Sequence, residues 1–356
     1  MSDPKNPNVN QRSTPQWGLY QRELFSAPNE DKHPPFNTHP EKLRALAKEK
    51  LSEGGWYYAS SNTSLLWTHY ANWEAFYRTA TSIFGQRVPA PIGFAAIGIN
   101  KIYHLTGELS PARVAGELNL PYCLSTAGSY SIDASASSGS ETDSPDGAGV
   151  SEAGNEVRFY QLYSSTDDIV TLSLLKRASD NGYIALFLTT DTWQLGWRHD
   201  NVANGNYAFY HEHGAGDLGL ADAQNAAKMG VDGIVVSNHA GRQVDGAIGS
   251  LDALEKIVEA AGDKTYMSHF HRLVMFDSGI RGGADVFKAL ALGAKFVWIV
   301  RLWGYALGSG GEEGVRHIVK GLLADLDILM NVSAYPDFSE INKNTLDSMP
   351  RGACFV

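Results

Sequence analysis

The chain is poor in cysteine, long apolar runs and basic charge, and each shortage excludes something. Cys123 and Cys354 are its two cysteines. They form neither a disulfide framework nor a metal-site spacing, so no metal is expected and a reducing compartment is favoured. No apolar stretch approaches the ~20 residues that span a bilayer. Residues 1–11 are polar and lack the apolar core of a signal peptide. The ending Arg351-Gly-Ala-Cys-Phe-Val is not a peroxisomal tripeptide. The expected location is the cytoplasm. Lys and Arg number 29 against 39 Asp and Glu, a formal charge of −10. That balance argues against nucleic acid or an anionic membrane as a partner, since both require a basic surface. It leaves room for a local cationic pocket that takes a small anion.

What is present suits one large α/β domain. The 356 residues are 43% hydrophobic and 19% charged, enough to build a sizeable core. Residues 1–38 read as a polar arm, 39–342 as the folded domain and 343–356 as a tail. A helix is expected over His39–Ser52, with Leu43, Leu46, Ala47 and Leu51 on one stripe and Gly54-Gly55 as its stop. Short apolar runs then alternate with amphipathic stretches. The expected strands are Pro91–Gly98, Tyr122–Thr126, Arg158–Tyr163, Ile184–Asp191, Gly233–Asn238, Leu273–Gly279 and Phe296–Arg301. Helices are expected at Asp168–Ser179, Ala221–Met229, Leu251–Ala261 and Ala284–Leu292. This alternation predicts a parallel sheet covered by helices, and so many strands in one domain favour a (β/α)8 TIM barrel with an N-terminal helical extension. Ala134–Glu152, rich in Ser, Ala, Gly and Asp, reads as a surface loop.

Polar residues cluster just after the strands: Thr189 and Asp191, His239, Asp277 and Arg281, then Arg301. In a barrel these positions line the mouth where chemistry occurs. A site that acts on a small carboxylate needs a cation for the charge and a base for proton transfer. An arginine fork and a histidine supply these. Taken alone, His239 and Arg242 read equally well as a loop histidine and a surface arginine.

The surrounding residues extend the pattern. Gly233-Ile-Val-Val-Ser-Asn-His-Ala-Gly-Arg-Gln-Val-Asp245 resembles the signature of the FMN-dependent α-hydroxy acid dehydrogenase and oxidase family, which includes glycolate oxidase and lactate 2-monooxygenase. Tyr57-Tyr-Ala-Ser60, Phe159-Tyr-Gln-Leu-Tyr163, Thr189-Thr-Asp-Thr-Trp-Gln-Leu-Gly-Trp-Arg198 and Asp277-Ser-Gly-Ile-Arg281 resemble further family elements in the same order. The wording around Asp191 and Gly321 leans toward the lactate 2-monooxygenase-like branch.

The resemblance implies oxidation of an α-hydroxy acid to the 2-oxo acid, with a hydride, or its equivalent as a proton and an electron pair, passing to flavin N5 and oxygen as the expected acceptor. It makes His239 the base, Asp191 its orienting carboxylate, and Arg242 and Arg198 the clamp on the substrate carboxylate. Tyr57 and Tyr163 would hydrogen-bond the substrate. FMN would be held by Ala95, Ala96, Ile97, Ser125, Gln161 and Thr189 around the ring, and by Asp277, Gly279, Arg281 and Arg301 at the phosphate. Family members commonly form homotetramers.

The chain departs from the family mainly around the flavin. The stretch between Arg198 and Asp217 is short, which leaves strand five as a degenerate remnant at Tyr207–Gly214 and sets Ala215 where the family has a lysine near the flavin. His211 or His213 is an alternative cation. The family's Gly-Arg-Pro is Val300-Arg301-Leu302, and a Cβ at Val300 would crowd the phosphate or forbid a left-handed backbone. The first-strand cluster of small residues and proline is Ala95-Ala96-Ile97-Gly98, and the segment from Arg78 to Val88 is short for the barrel floor. The alternative readings are a catalytically impaired barrel that binds FMN or a phosphometabolite, and a flavin-independent phosphate-binding isomerase.

Overall fold

The computed structural model describes residues 20, 21, 24, 34–61, 88–137, 157–165, 167–192, 196–199, 231–262, 273–333, 335, 338 and 341–346. Seven strands form one parallel sheet: β1 Ile92–Phe94, β2 Tyr122–Ser125, β3 Arg158–Leu162, β4 Ala185–Leu188, β5 Ile234–Val236, β6 Val274–Phe276 and β7 Phe296–Ile299. Their order is β4-β3-β2-β1-β7-β6-β5. The first strand therefore pairs with the last, with Gly93 opposite Trp298. The two edges, β4 and β5, are consecutive in the chain. This is the order a β/α barrel shows when opened between its fourth and fifth elements. The expected remnant strand, the Ala221–Met229 helix, His211, His213 and Ala215 all lie outside the described residues, as does most of the Arg78–Val88 segment.

Each strand is shorter than the apolar run that predicts it, because the last residues of each run leave the ladder to serve the site. The inward face carries an aromatic layer. Phe159, Phe187 and Phe296 surround Trp298 with ring centroids 5.5, 5.2 and 4.8 Å away. Gly93 makes room for it, since a Cβ there would fall 2.7 Å from the Phe296 and Trp298 rings.

Among the described residues the α-helices are α1 Pro40–Lys50, α2 Glu53–Ser60, α3 Leu109–Glu117, α4 Ile132–Ala136, α5 Asp168–Asp180, α6 Ser250–Gly262, α7 Gly283–Ala291 and α8 Arg301–Val332. The N-terminal stop differs from the expectation. Gly54 and Gly55 do not end α1; they lie inside α2, and Ser52 makes the break by accepting the Gly55 N–H on its hydroxyl at 3.2 Å. The arm is also better anchored than its composition suggests. Phe36 is buried in the core, while His317 on α8 donates from Nε2 to the Phe36 carbonyl (2.9 Å) and its Nδ1 bonds the Tyr20 hydroxyl (2.6 Å). The first residues of the Ala134–Glu152 stretch belong to α4 rather than to a loop. Helix α8 kinks at Gly310–Gly311, where Gly311 has φ +57 and a Cβ would stand 3.1 Å from the His104 ring. Among the described residues no helix is long and apolar enough to cross a membrane.

Candidate active site

All seven strands point the same way, so the residues that follow them gather at one end. Asp191 follows β4 and His239 follows β5. They meet across the two sheet edges: His239 Nδ1 lies 2.9 Å from Asp191 Oδ2 and 3.1 Å from Oδ1. A carboxylate only accepts, so Nδ1 donates to Asp191, and in the neutral imidazole Nε2 keeps its lone pair. The imidazole retains 26% exposure, while the carboxylate is buried. Burial alone would raise the Asp191 carboxyl, but the His239 charge and hydrogen bonds from His239 and Thr192 outweigh it and hold the group below its ordinary value. The Thr192 hydroxyl donates to Asp191 Oδ1 at 2.8 Å.

Gln243 joins this pair to the arginines. Its Nε2 donates to the Asp191 carbonyl at 2.9 Å, and its Oε1 accepts from Arg198 Nη2 at 3.1 Å. Arg198 Nε donates to the Arg242 carbonyl at 3.1 Å. Arg242 Nη1 donates to the carbonyls of Tyr58 (2.7 Å) and Ser61 (3.1 Å). Neither Arg198 nor Arg242 pairs with a carboxylate among the described residues. Burial, then the Arg242 charge, brings Arg198 down to about 9. Two cations thus share a desolvated corner with neutral acceptors only, an arrangement that an arriving carboxylate would relieve.

The tyrosines divide differently from the expectation. Tyr57 is half-exposed and its hydroxyl donates to Glu53 at 3.3 Å, on the outer face of α2. Tyr58 is buried instead, with its ring 5.2 Å beneath the Arg242 guanidinium. Burial first, against the Arg242 and Arg198 charges, raises its hydroxyl pKa and keeps it a donor. Tyr163 is likewise pushed up by burial, then by Tyr58 and Asp191, and its side chain bonds Thr192.

Beside the base, the ends of β2, β3 and β4 carry a polar row. The Ser125 hydroxyl donates to Gln161 Oε1 at 2.9 Å, and Gln161 Nε2 donates to Thr189 Oγ1 at 2.9 Å. Ala95, just past β1, spends its N–H on the Ile299 carbonyl at 2.9 Å, which leaves the half-buried Ala96 and Ile97 beside the row. Across the mouth, Ser278 and Gly279 hold φ of +80 and +88 after β6. Arg281 follows them, and Arg301 opens α8 immediately after β7 and Val300. Burial, then charges from Arg242 and Arg281, brings Arg301 down to about 9. The α8 N-terminus has no side-chain cap. A row of ring-edge donors facing a cationic, uncapped helix start after the last two strands fits a flavin mononucleotide, ring and phosphate. Val300 does not obstruct this through its backbone. Its φ is −123, so the left-handed conformation that only glycine adopts freely is not required there.

Arg301 departs from a purely phosphate-directed role, since its Nη2 reaches the Ser61 and Ala240 carbonyls at 3.4 Å. Asp277 points to neighbouring serines, as described below. Sequence reasoning missed Gln243, Thr192 and Tyr58. All three stand inside the motifs quoted above, but their neighbours carry the more obvious chemistry.

The profile of a family described as FMN-dependent dehydrogenase matches residues 47–214 and 216–348, leaving Ala215 between the two stretches. An FMN-dependent alpha-hydroxy acid dehydrogenase of Penicillium citrinum is 33% identical over 405 aligned positions, covering 93% of this chain and 96% of the relative. That alignment is longer than the 356-residue chain, so the relative carries segments that are missing here. L-lactate oxidase of Lysinibacillus sphaericus is 32% identical over 75% of this chain and 78% of its own. Among solved structures, a mandelate oxidase variant with 2-hydroxy-phenylacetamide superposes with a TM-score of 0.73 at 27% identity, covering 86% of this chain and 98% of that one.

Proposed function

The chain belongs to the FMN-dependent dehydrogenase family, and from that premise we propose that it oxidises an α-hydroxy acid to the 2-oxo acid, with oxygen as the final acceptor. The observation that carries this reading is the His239–Asp191 pair beside the buried Arg198 and the half-buried Arg242, neither of which has a carboxylate partner among the described residues. FMN, when bound, supplies the two-electron acceptor. Ser125, Gln161 and Thr189, with Ala95, Ala96 and Ile97, would hold its ring. Gly279, Arg281, Arg301 and the start of α8 would hold its phosphate.

The protein's part is binding, orientation and proton transfer. Arg198 and Arg242 fix the substrate carboxylate by two forks. Tyr163, and Tyr58 rather than Tyr57, donate from the other side. His239 Nε2 takes the hydroxyl proton. Asp191 remains ionised beside the resulting imidazolium and holds the ring in place. The sheet order also supports a (β/α)8 barrel opened between β4 and β5.

The test is a visible spectrum of the purified protein with added FMN, followed by peroxide assays with 2-hydroxy acids of increasing size. A yellow protein that releases peroxide with at least one of them is expected. A preparation that stays colourless with FMN present would refute the proposal, and a yellow but inert one would reduce it to a binding barrel.

A further inference from the structure

The turn that carries His239 is backbone-strained. His239 and Ala240 both hold left-handed φ, +53 and +55, and Gly241 follows at +73. Glycine adopts this region freely, whereas histidine and alanine do not, so something must hold them there. Two serine hydroxyls do so. The His239 N–H donates to Ser237 Oγ and the Ala240 N–H to Ser278 Oγ, each at 3.0 Å. Both hydroxyls bond one carboxyl: Ser278 Oγ donates to Asp277 Oδ1 at 2.8 Å, and Ser237 bonds the same side chain. A hydroxyl has one hydrogen. With it directed to the carboxyl, only lone pairs face the backbone, as two N–H donors require. Ser278 is itself buried with φ +80, so this strained residue is kept at the junction of the two loops.

We propose that Asp277 is a positioning residue for His239, bracing the left-handed turn through Ser237 and Ser278, and not a phosphate ligand. The inference rests on His239 being the base. Asp277 follows β6 and the turn follows β5, so the brace ties the base to the strand on its paired side, while Asp191 ties it to the other sheet edge. The imidazole is thereby held between two carboxyl groups. One contacts the ring, and the other acts only through the backbone.

The variants separate bracing from folding and from flavin binding. Ser278→Gly removes one hydroxyl and relieves a strained φ, so it does not threaten the fold. Asp277→Ala removes the carboxyl to which both hydroxyls bond. Asp277→Ala should lower kcat about 100-fold at saturating FMN, the scale of a displacement near 1 Å, and Ser278→Gly should lower it less. The FMN dissociation constant, read by fluorescence quenching, should stay within about threefold in both, where a lost phosphate contact would shift it far more. Amide hydrogen exchange in the flavin-free protein should speed up at His239 and Ala240. Adding Ala240→Gly, which accepts its φ without strain, should restore most of the activity lost in Ser278→Gly. An unchanged kcat in Asp277→Ala, or a large loss of FMN affinity with normal kcat once saturated, would overturn the proposal. So would failure of Ala240→Gly to rescue. If His239→Gln also leaves kcat intact, it is the assignment of the base that has failed.

Discussion

The flank built from β6, β7, α7 and α8 differs sharply from the flank built from β3, β4 and α5. On the first, Leu290, Val297, Ile299, Trp303 and Leu307 are almost fully buried, and α8 starts at Arg301, one of the groups proposed for the phosphate. On the second, Ala178 alone is buried in α5, Ile169 and Leu172 are 78% and 64% exposed, and Leu186 and Leu188 of β4 face outward uncovered. Strand β4 is a sheet edge, as is β5. No ladder joins these edges among the described residues, but side chains do. Asp191 reaches His239, while Gly196 and Arg198 reach Gln243 and Arg242. The groups proposed for substrate chemistry therefore span the two sheet edges, and the proposed phosphate groups rest on the sheet's best-buried part.

This contrast can be broken or sharpened by substitution. His239→Gln should lower kcat about 10³-fold while flavin binding, in which His239 is assigned no contact, is unchanged. On the well-buried flank Leu290→Ala should cost about 2–5 kcal/mol of stability by leaving a cavity, measured by denaturant unfolding. Arg242→Lys should reduce kcat/KM roughly 10–100-fold, because an ammonium cannot replace the fork held over Tyr58.

Asp191→Asn acts on both function and the seam. The Asp191 carboxyl sits below its ordinary value in the folded protein. Its ionised form thus contributes stability that is present above the unfolded pKa of about 3.9 and is lost as pH falls through the lower folded value. The Tm difference between wild type and Asp191→Asn should shrink over that acid range, and an invariant difference would contradict the assignment. Leu186→Ser, on the exposed edge, should change stability by no more than about 0.5 kcal/mol. A larger loss would mean that this face is covered.

The buried flank was legible in the sequence because continuous apolar strands and i, i+4 helix stripes are local signals. The residues proposed as the base, its carboxylate and the two clamping arginines were legible as well, since they stand in long motifs. Three features were not. Tyr57 and Tyr58 are adjacent, and only the helix phase of α2, set by the Ser52 cap, decides which one turns inward. The left-handed φ at His239 and Ala240 leaves no mark in residues that ordinarily avoid it. The bonding of Asp277 to two serines depends on β5 and β6 lying side by side, a contact between distant parts of the chain.

The most direct measurement is anaerobic stopped-flow reduction of the FMN-loaded protein by a 2-hydroxy acid that it turns over, comparing wild type with His239→Gln at equal flavin content. Rapid bleaching of the wild type, with a rate about 10³-fold lower in the variant, is predicted. Equal rates, or flavin that no hydroxy acid bleaches in either protein, would contradict the account.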